Sequence, residues 1–150
     1  MPDTQYSEII DFAIKREKEA VQFYTELEHI AQFASQKELL SEIKGMEQGH
    51  VKILENLKTK SPEAIRVERV PNFMPSTYLV EAQPARDMSY QDILIIAMKR
   101  EDRSHALYEE LIAQTDNPDL QKTFRMLAGE ESKHKRFFED LYDKYVQPDN

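Results

Sequence analysis

Two short segments of the sequence carry the same pair of side chains able to bind a metal. The segment "MEQGH" contains Glu47 and His50, and the segment "EESKH" contains Glu131 and His134. In a helix, residues three positions apart leave one face about a turn apart, so a carboxylate and an imidazole at this spacing can reach one ion or two adjacent ions. One such pair is common on solvated helix faces, but two copies indicate a shared site.

Each pair is preceded by another glutamate at the same distance. The separation of Glu17 from Glu47 along the chain equals the separation of Glu101 from Glu131. The midpoints of the two spans fall in "AQFAS" and in "TDNP", where turns between helices are expected. In two antiparallel hairpins the four glutamates and both histidines would therefore meet at one depth.

All six positions interrupt apolar stripes that should face the core. An unpaired carboxylate in a core costs several kcal/mol, whereas the charges of four carboxylates and two divalent ions cancel. The sequence therefore predicts a dinuclear metal site in which Glu47 and Glu131 bridge the ions, and Glu17 and Glu101 each complete one end with a histidine. The predicted metal ligands are Glu17, Glu47, His50, Glu101, Glu131 and His134. Oxygen-rich sites with two histidines favour iron or manganese, and zinc is a possible substitute.

Four helices position these residues, according to the apolar period. We expect them at about residues 5–30, 36–58 and 90–114, with a fourth after "TDNPDL". Ser35 and Glu38 have the spacing of a capping box for the second helix. Asn117 is the expected N-cap of the fourth helix, and Pro118 its first residue.

The segment 61–88 holds four of the seven prolines and should form a long connection. Its length suits a return along the bundle, so that the third helix runs parallel to the second. A short element is expected around residues 65–70. The fold class predicted is all-α, a four-helix bundle with a long crossover between helices 2 and 3.

The two helix pairs are also an internal repeat. "YSEIIDFAIKRE" matches "YQDILIIAMKRE", so a helical hairpin occurs twice. Tyr24 and Tyr108 correspond in the same alignment and could hydrogen-bond a ligand carboxylate, carry an electron, or be ordinary core aromatics. His105 is either a spare metal ligand or a group that supports a ligand, or it is a surface histidine. Surface positions are expected for His29, Glu19 and Glu130.

Composition narrows the function classes. The 150 residues suit one domain, and a net charge of −8 argues against nucleic acid or an anionic membrane as partner. The absence of cysteine excludes disulfides and thiolate metal sites. The N-terminus lacks a basic segment followed by an apolar one, so a cytoplasmic location is expected.

The ligand pattern, with "AIKRE", "FYTEL" and "LYEEL" around it, resembles the rubrerythrin group of the ferritin-like superfamily. The resemblance implies a left-handed crossover bundle with two Fe ions that react with hydrogen peroxide or oxygen, as in protection against oxidative stress, and a homodimer. Rubrerythrins proper carry a four-cysteine rubredoxin domain, which this chain lacks, so an external electron donor such as a rubredoxin is implied. Ser104 stands where they have a further glutamate.

Three other functions agree with the same residues. Quinone-precursor hydroxylases resemble the six-ligand pattern, so a di-iron monooxygenase with an apolar channel is one alternative. An iron-binding protein of ferritin type is another, although cages of the bacterioferritin kind use a fifth helix and only a short segment follows His134. The last is a helical interaction module whose site stays empty.

Overall fold

In the part of the chain that the structure describes, four long helices pack as two hairpins. The computed structural model describes residues 4–31, 34–60, 63, 65, 69–80 and 89–145. Helix α1 packs against α2, and α3 packs against α4. Their bounds are Tyr6–Ile30 for α1, Ala34–Lys60 for α2, Tyr90–Ala113 for α3 and Pro118–Tyr145 for α4. The prediction of an all-α four-helix bundle is confirmed, with helix ends close to those expected.

Side-chain caps explain where α3 and α4 begin. The hydroxyl oxygen of Ser89 accepts a hydrogen bond from the amide of Asp92 at 3.1 Å. The side-chain oxygen of Asn117 accepts from the amides of Asp119 at 2.9 Å and Leu120 at 3.2 Å, as predicted for this N-cap. The predicted cap at Ser35 is wrong, because α2 already begins at Ala34, a strong helix former that places the serine inside the helix.

Helices α1 and α3 run in opposite directions. Tyr6, the first residue of α1, donates a hydrogen bond from its hydroxyl to the carbonyl of Leu111 near the end of α3, at 2.9 Å. Near the other end of α1, Tyr24 reaches Glu101 in the middle of α3. Because each hairpin is antiparallel, α2 and α3 run parallel, and the chain between them returns along the bundle as its length predicted.

The described part of this crossover is attached to α1 and α3. Strand β1, Thr4–Gln5, pairs antiparallel with strand β2, Arg69–Val70. The strand β2 lies in the region where a short element was predicted, although residues 66–68 fall outside the described ranges. A 3₁₀ helix at Pro75–Tyr78 contacts α3, and Phe73 packs edge-to-face on Phe12 of α1.

Two apolar clusters fill the bundle, one toward each end. The first contains Tyr6, Leu54, Leu111 and Phe124, and the second contains Phe23, Leu40, Leu94 and Phe138. On every helix the predicted metal ligands lie between the residues of the two clusters. The core is therefore divided by one layer of polar side chains. Within the described ranges, no helix is long and apolar enough to cross a membrane.

Candidate metal centre

All six predicted ligand residues meet in the layer between the two apolar clusters. They form two groups of four, and within each group the potential ligand atoms lie within 4.8 Å of one another. Both groups contain Glu47 and Glu131, which is the arrangement expected of bridging carboxylates. The groups are Glu17, Glu47, His50 and Glu131, and Glu47, Glu101, Glu131 and His134. The structure thus pairs Glu17 with His50 and Glu101 with His134, a choice that the sequence left open.

Burial removes this layer from water. The six side chains belong to residues that are between 0% and 5% exposed. A group of four carboxylates at this depth has no bulk solvent to spread its charge, so it must take up protons or cations.

The two imidazoles are oriented alike. The Nδ1 atom of His50 lies 3.0 Å from a carboxylate oxygen of Glu17 and 3.0 Å from one of Glu131. The Nδ1 atom of His134 lies 3.2 Å from Glu47 and 3.6 Å from Glu101. The rings are 6.3 Å apart and nearly parallel, at 16°. Each histidine therefore turns Nδ1 toward the carboxylates and Nε2 away from them.

Several buried atoms of the cluster lack hydrogen-bond partners within the described part of the chain. They include both carboxylate oxygens of Glu47, both of Glu131, one of Glu101, and Nδ1 of His134. Buried polar atoms in proteins are almost always hydrogen-bonded or bound to an ion. Oxygen and imidazole donors left free and directed at one another fit a pair of divalent cations with oxygen-rich coordination.

Without cations, the cluster holds protons. Burial and the nearby charge of Glu47 raise the pKa of Glu17 to about 8. Burial and the charge of Glu101 raise the pKa of Glu131 well above its ordinary value, and burial and the charge of Glu47 raise that of Glu101. Glu47 differs: burial raises its pKa, but contacts with His134, Glu131 and His50 lower it by more.

The histidines complete this picture of a proton-rich cluster. Burial lowers the pKa of His50, but the contacts with Glu17, Glu47 and Glu130 together outweigh burial and bring the pKa to about 9. Contacts with Glu101 and Glu47 likewise bring the pKa of His134 to about 10 against the effect of burial. In the absence of metal, protons take the place of cations in balancing the charge.

Two tyrosines at equivalent positions of the repeat, Tyr24 in α1 and Tyr108 in α3, lie next to the cluster. Tyr24 donates a hydrogen bond to Glu101, and its ring stacks on Phe138 at 5.7 Å between centroids. Burial, the charge of Glu17 and a contact with its carboxylate raise the pKa of Tyr108, although the buried hydroxyl makes no hydrogen bond of good geometry among the described residues. Tyr24 thus contacts a predicted ligand carboxylate, one of the roles considered from sequence, and Tyr108 lies beside Glu17 at the equivalent position of the repeat.

Among the described residues, Glu130 contacts the site although the sequence analysis predicts a surface position for it. It was interpreted as a surface charge, but its side chain is only 30% exposed and its carboxylate accepts a hydrogen bond from Nε2 of His50. The corresponding atom of His134 instead lies 3.3 Å from the sulfur of Met46. Met46 and Glu130 each directly precede one of the two shared glutamates, and so they occupy equivalent positions in the repeat.

Other positions lie outside the cluster. His105 hydrogen-bonds through Nδ1 to the carbonyl of Ala128 at 2.9 Å, so it joins α3 to α4 instead of facing the predicted ligands. His29 is exposed, and Glu19 pairs with Arg16. Ser104 stands where the resembling rubrerythrins have a further glutamate, so this position adds no carboxylate to the cluster.

Comparison with known proteins agrees with this geometry. The family model for rubrerythrin matches residues 8–142. A Thermotoga maritima protein, described as a candidate ferritin-like diiron-carboxylate protein, superposes with a TM-score of 0.82 at 24% identity, over 94% of this chain and 96% of that one. A hypothetical protein from Pyrococcus furiosus superposes with a TM-score of 0.74 at 23% identity, over 95% and 90% of the two chains. Among curated proteins, none matches. The chain belongs to the rubrerythrin family, and its fold is the ferritin-like bundle of diiron-carboxylate proteins.

Proposed function

We propose that this protein is a di-iron oxidoreductase that reduces hydrogen peroxide or oxygen with electrons from an external donor such as a rubredoxin. The observation that carries the proposal is the sharing of Glu47 and Glu131 by two four-residue groups. Carboxylates that belong to two adjacent groups of ligands would serve two neighbouring ions, whereas a single-ion site has no use for such sharing. Family membership supports iron as the metal.

The protein's own residues would hold and protect the ions. Glu17 and His50 complete one end, and Glu101 and His134 complete the other. When bound, two ferrous ions supply two electrons and open coordination positions for a small oxidant. The hydrogen bond from Tyr24 fixes the carboxylate of Glu101, and burial of the whole layer keeps bulk water away.

The proposed reaction takes two electrons and two protons to convert one peroxide molecule into two water molecules. Nothing in the chain resembles a second redox centre with cysteine ligands, since the sequence has no cysteine. We therefore propose that the electrons that restore the ferrous state come from another molecule. We also propose that the protein is a homodimer and is located in the cytoplasm.

An anaerobic titration with Fe(II) tests the metal centre first. We expect two equivalents to bind per metal-free chain. Hydrogen peroxide or oxygen is then added in separate stopped-flow experiments, and the oxidant that oxidises the iron faster is the preferred substrate. Binding of one equivalent or none would contradict the dinuclear site and favour the interaction-module alternative. Sedimentation separates a dimer from a storage cage.

A second candidate function is hydroxylation of an apolar substrate. An apolar cavity of about 30 Å³ lies at one end of the bundle, lined in part by Leu27, Leu94 and Phe138. Phe138 stacks on Tyr24, which contacts Glu101, so the cavity is separated from the candidate metal centre by two aromatic rings. This function requires oxygen consumption that depends on an added organic substrate, and its absence across a panel of phenols and quinones would argue against it.

A further inference from the structure

A second, smaller cavity lies between α1, α3 and the crossover. Its volume of about 20 Å³ gives room for a molecule or ion of roughly the size of one or two waters. Two of its lining residues, Ala20 and Ser104, each follow a predicted ligand by one helical turn. The other lining residues are Arg16, Arg100, Tyr78 and Val80.

Arg100 is buried in this wall without a partner for its charge. The residue is 8% exposed, its Nε atom has no hydrogen-bond partner, and within the described ranges no carboxylate forms an ion pair with it. The guanidinium lies over the ring of Phe23, at 4.7 Å from its centroid. A buried guanidinium in these surroundings favours a nearby negative charge.

The internal repeat explains why this arginine is unpaired. Arg16 and Arg100 occupy equivalent positions, and Arg16 forms an ion pair with Glu19 at 2.7 Å, one turn further along α1. The position equivalent to Glu19 in the second repeat is Arg103, which is exposed. The second copy therefore replaces the carboxylate partner by another positive charge.

We propose that this cavity binds a small oxyanion with one negative charge, such as a carboxylate of the size of formate. A guanidinium presents two parallel N–H groups that match the two oxygens of such an ion. The hydroxyl of Ser104 adds a further possible donor, while Ala20 and Val80 limit the size of the ligand. One negative charge suffices, because Arg16 is already paired with Glu19. The proposal does not depend on metal in the neighbouring centre.

A titration with sodium formate tests the site directly. Sodium formate is added to the protein loaded with diamagnetic Zn(II). The sodium salt of a bulky sulfonate that the cavity cannot hold is reduced in step, so that the ionic strength stays constant. The N–H signals of the arginine Nε groups are followed by NMR. We expect a saturable shift for Arg100 and no saturable shift for exposed Arg103. A shift that is linear and equal at both arginines, or the absence of any shift, would overturn the proposal.

Variants then separate the cavity from general electrostatics. Ser104→Leu fills the cavity without changing the charge and should weaken formate binding at least about tenfold. Arg100→Gln removes the guanidinium and should weaken binding by a similar factor, measured from the Nε–H signal of Arg16. The matched control Arg103→Gln removes a positive charge outside the cavity and should leave the dissociation constant within about twofold. Formate binding by Ser104→Leu with the affinity of the unaltered protein would also overturn the proposal. Repeating the titration on metal-free protein distinguishes a failure of the anion site from a failure of the metal centre.

Discussion

The two ends of the candidate metal centre come from one repeated hairpin, yet they differ behind each histidine. At one end, Nε2 of His50 donates to the carboxylate of Glu130. At the other end, Nε2 of His134 faces the thioether of Met46 at 3.3 Å. The repeat keeps the six proposed ligands and changes the residue that contacts the outer nitrogen of each imidazole.

This difference should make the two metal positions unequal. A carboxylate that accepts from an imidazole fixes its tautomer and increases the electron density at the nitrogen that binds the metal. A thioether is a weak acceptor and supplies little of either effect. We therefore expect the ion held by Glu17 and His50 to bind more tightly than the ion held by Glu101 and His134.

The largest expected effect is the loss of bound Fe(II) when a ligand is removed, and it should be greater for a shared ligand than for a terminal one. Glu131→Ala should reduce Fe(II) binding from two equivalents to none or one, because both groups of ligands include this carboxylate. Glu17→Ala should lose one equivalent, since this residue serves one end. Anaerobic titration with metal analysis measures both, and Glu109→Ala, at an exposed glutamate of α3, is the control. Two equivalents in Glu131→Ala would contradict the assignment.

The metal-free protein should lose stability as the pH rises. Folding raises the pKa of Glu17 to about 8, that of His50 to about 9 and that of His134 to about 10, each above its ordinary value. The folded state thus binds protons more tightly than the unfolded chain, so the stabilisation is present at low pH and is lost as the pH rises through these values. Urea unfolding of the metal-free protein should show that its unfolding free energy falls by on the order of a few kcal/mol between pH 6 and pH 10.

Bound metal should reverse this dependence, because the ions replace the protons and bind better as the ligands lose them. The variant His50→Gln sharpens the comparison between the ends. The loss of stability at high pH should be smaller in His50→Gln and in His134→Gln than in the unaltered protein, because each variant removes one group whose pKa folding raises. Identical pH profiles for the two variants would show that the ends are equivalent.

Removing the carboxylate behind His50 should have an intermediate effect. Glu130→Gln keeps the size of the side chain but weakens the acceptor, and we expect one of the two ions to bind about 10- to 100-fold more weakly. Met46→Leu removes the thioether at the other end and should change affinity by less than about threefold, since that acceptor is weak. Competition with a chromophoric chelator measures both. Equal losses in the two variants would remove the proposed asymmetry.

The smallest effects are expected at the two tyrosines. Tyr24→Phe removes a buried hydrogen bond to Glu101 and should lower the unfolding free energy of metal-free protein by about 1 to 3 kcal/mol. Tyr108→Phe removes a hydroxyl that lies beside Glu17 without a hydrogen bond of good geometry among the described residues, so its effect should be smaller. Urea unfolding at one pH compares them, and a larger loss in Tyr108→Phe would contradict the observed contacts.

Much of this architecture is predictable from sequence because it repeats along single helices. The spacing of Glu47 and His50 places both on one face, and the cap at Asn117 marks a turn by local chemistry. In each hairpin the two glutamates are equally far along the chain from the turn, and this separation is the same in both hairpins. These equal separations are enough to predict that the four glutamates meet. These inferences need only the geometry of a helix and of an antiparallel pair.

The supporting contacts were not predictable in the same way. Glu130 lies next to a ligand and off the apolar stripe, so its position alone suggests a surface charge. It contacts His50 on a different hairpin, and no pattern within one helix reveals such a contact. The unpaired state of Arg100 similarly depends on the packing of α1 against α3, and Ser35 shows that capping patterns also occur inside helices.

The polar layer between the two apolar clusters has a consequence for the life of the protein in the cell. A ligand that binds only the folded state adds stability in proportion to the logarithm of its concentration over its dissociation constant. Without iron, the two halves of the core are separated by carboxylates and imidazoles that stabilise folding only while they keep their protons. The amount of protein that escapes proteolysis should therefore follow the supply of iron, so that abundance itself reports metal availability.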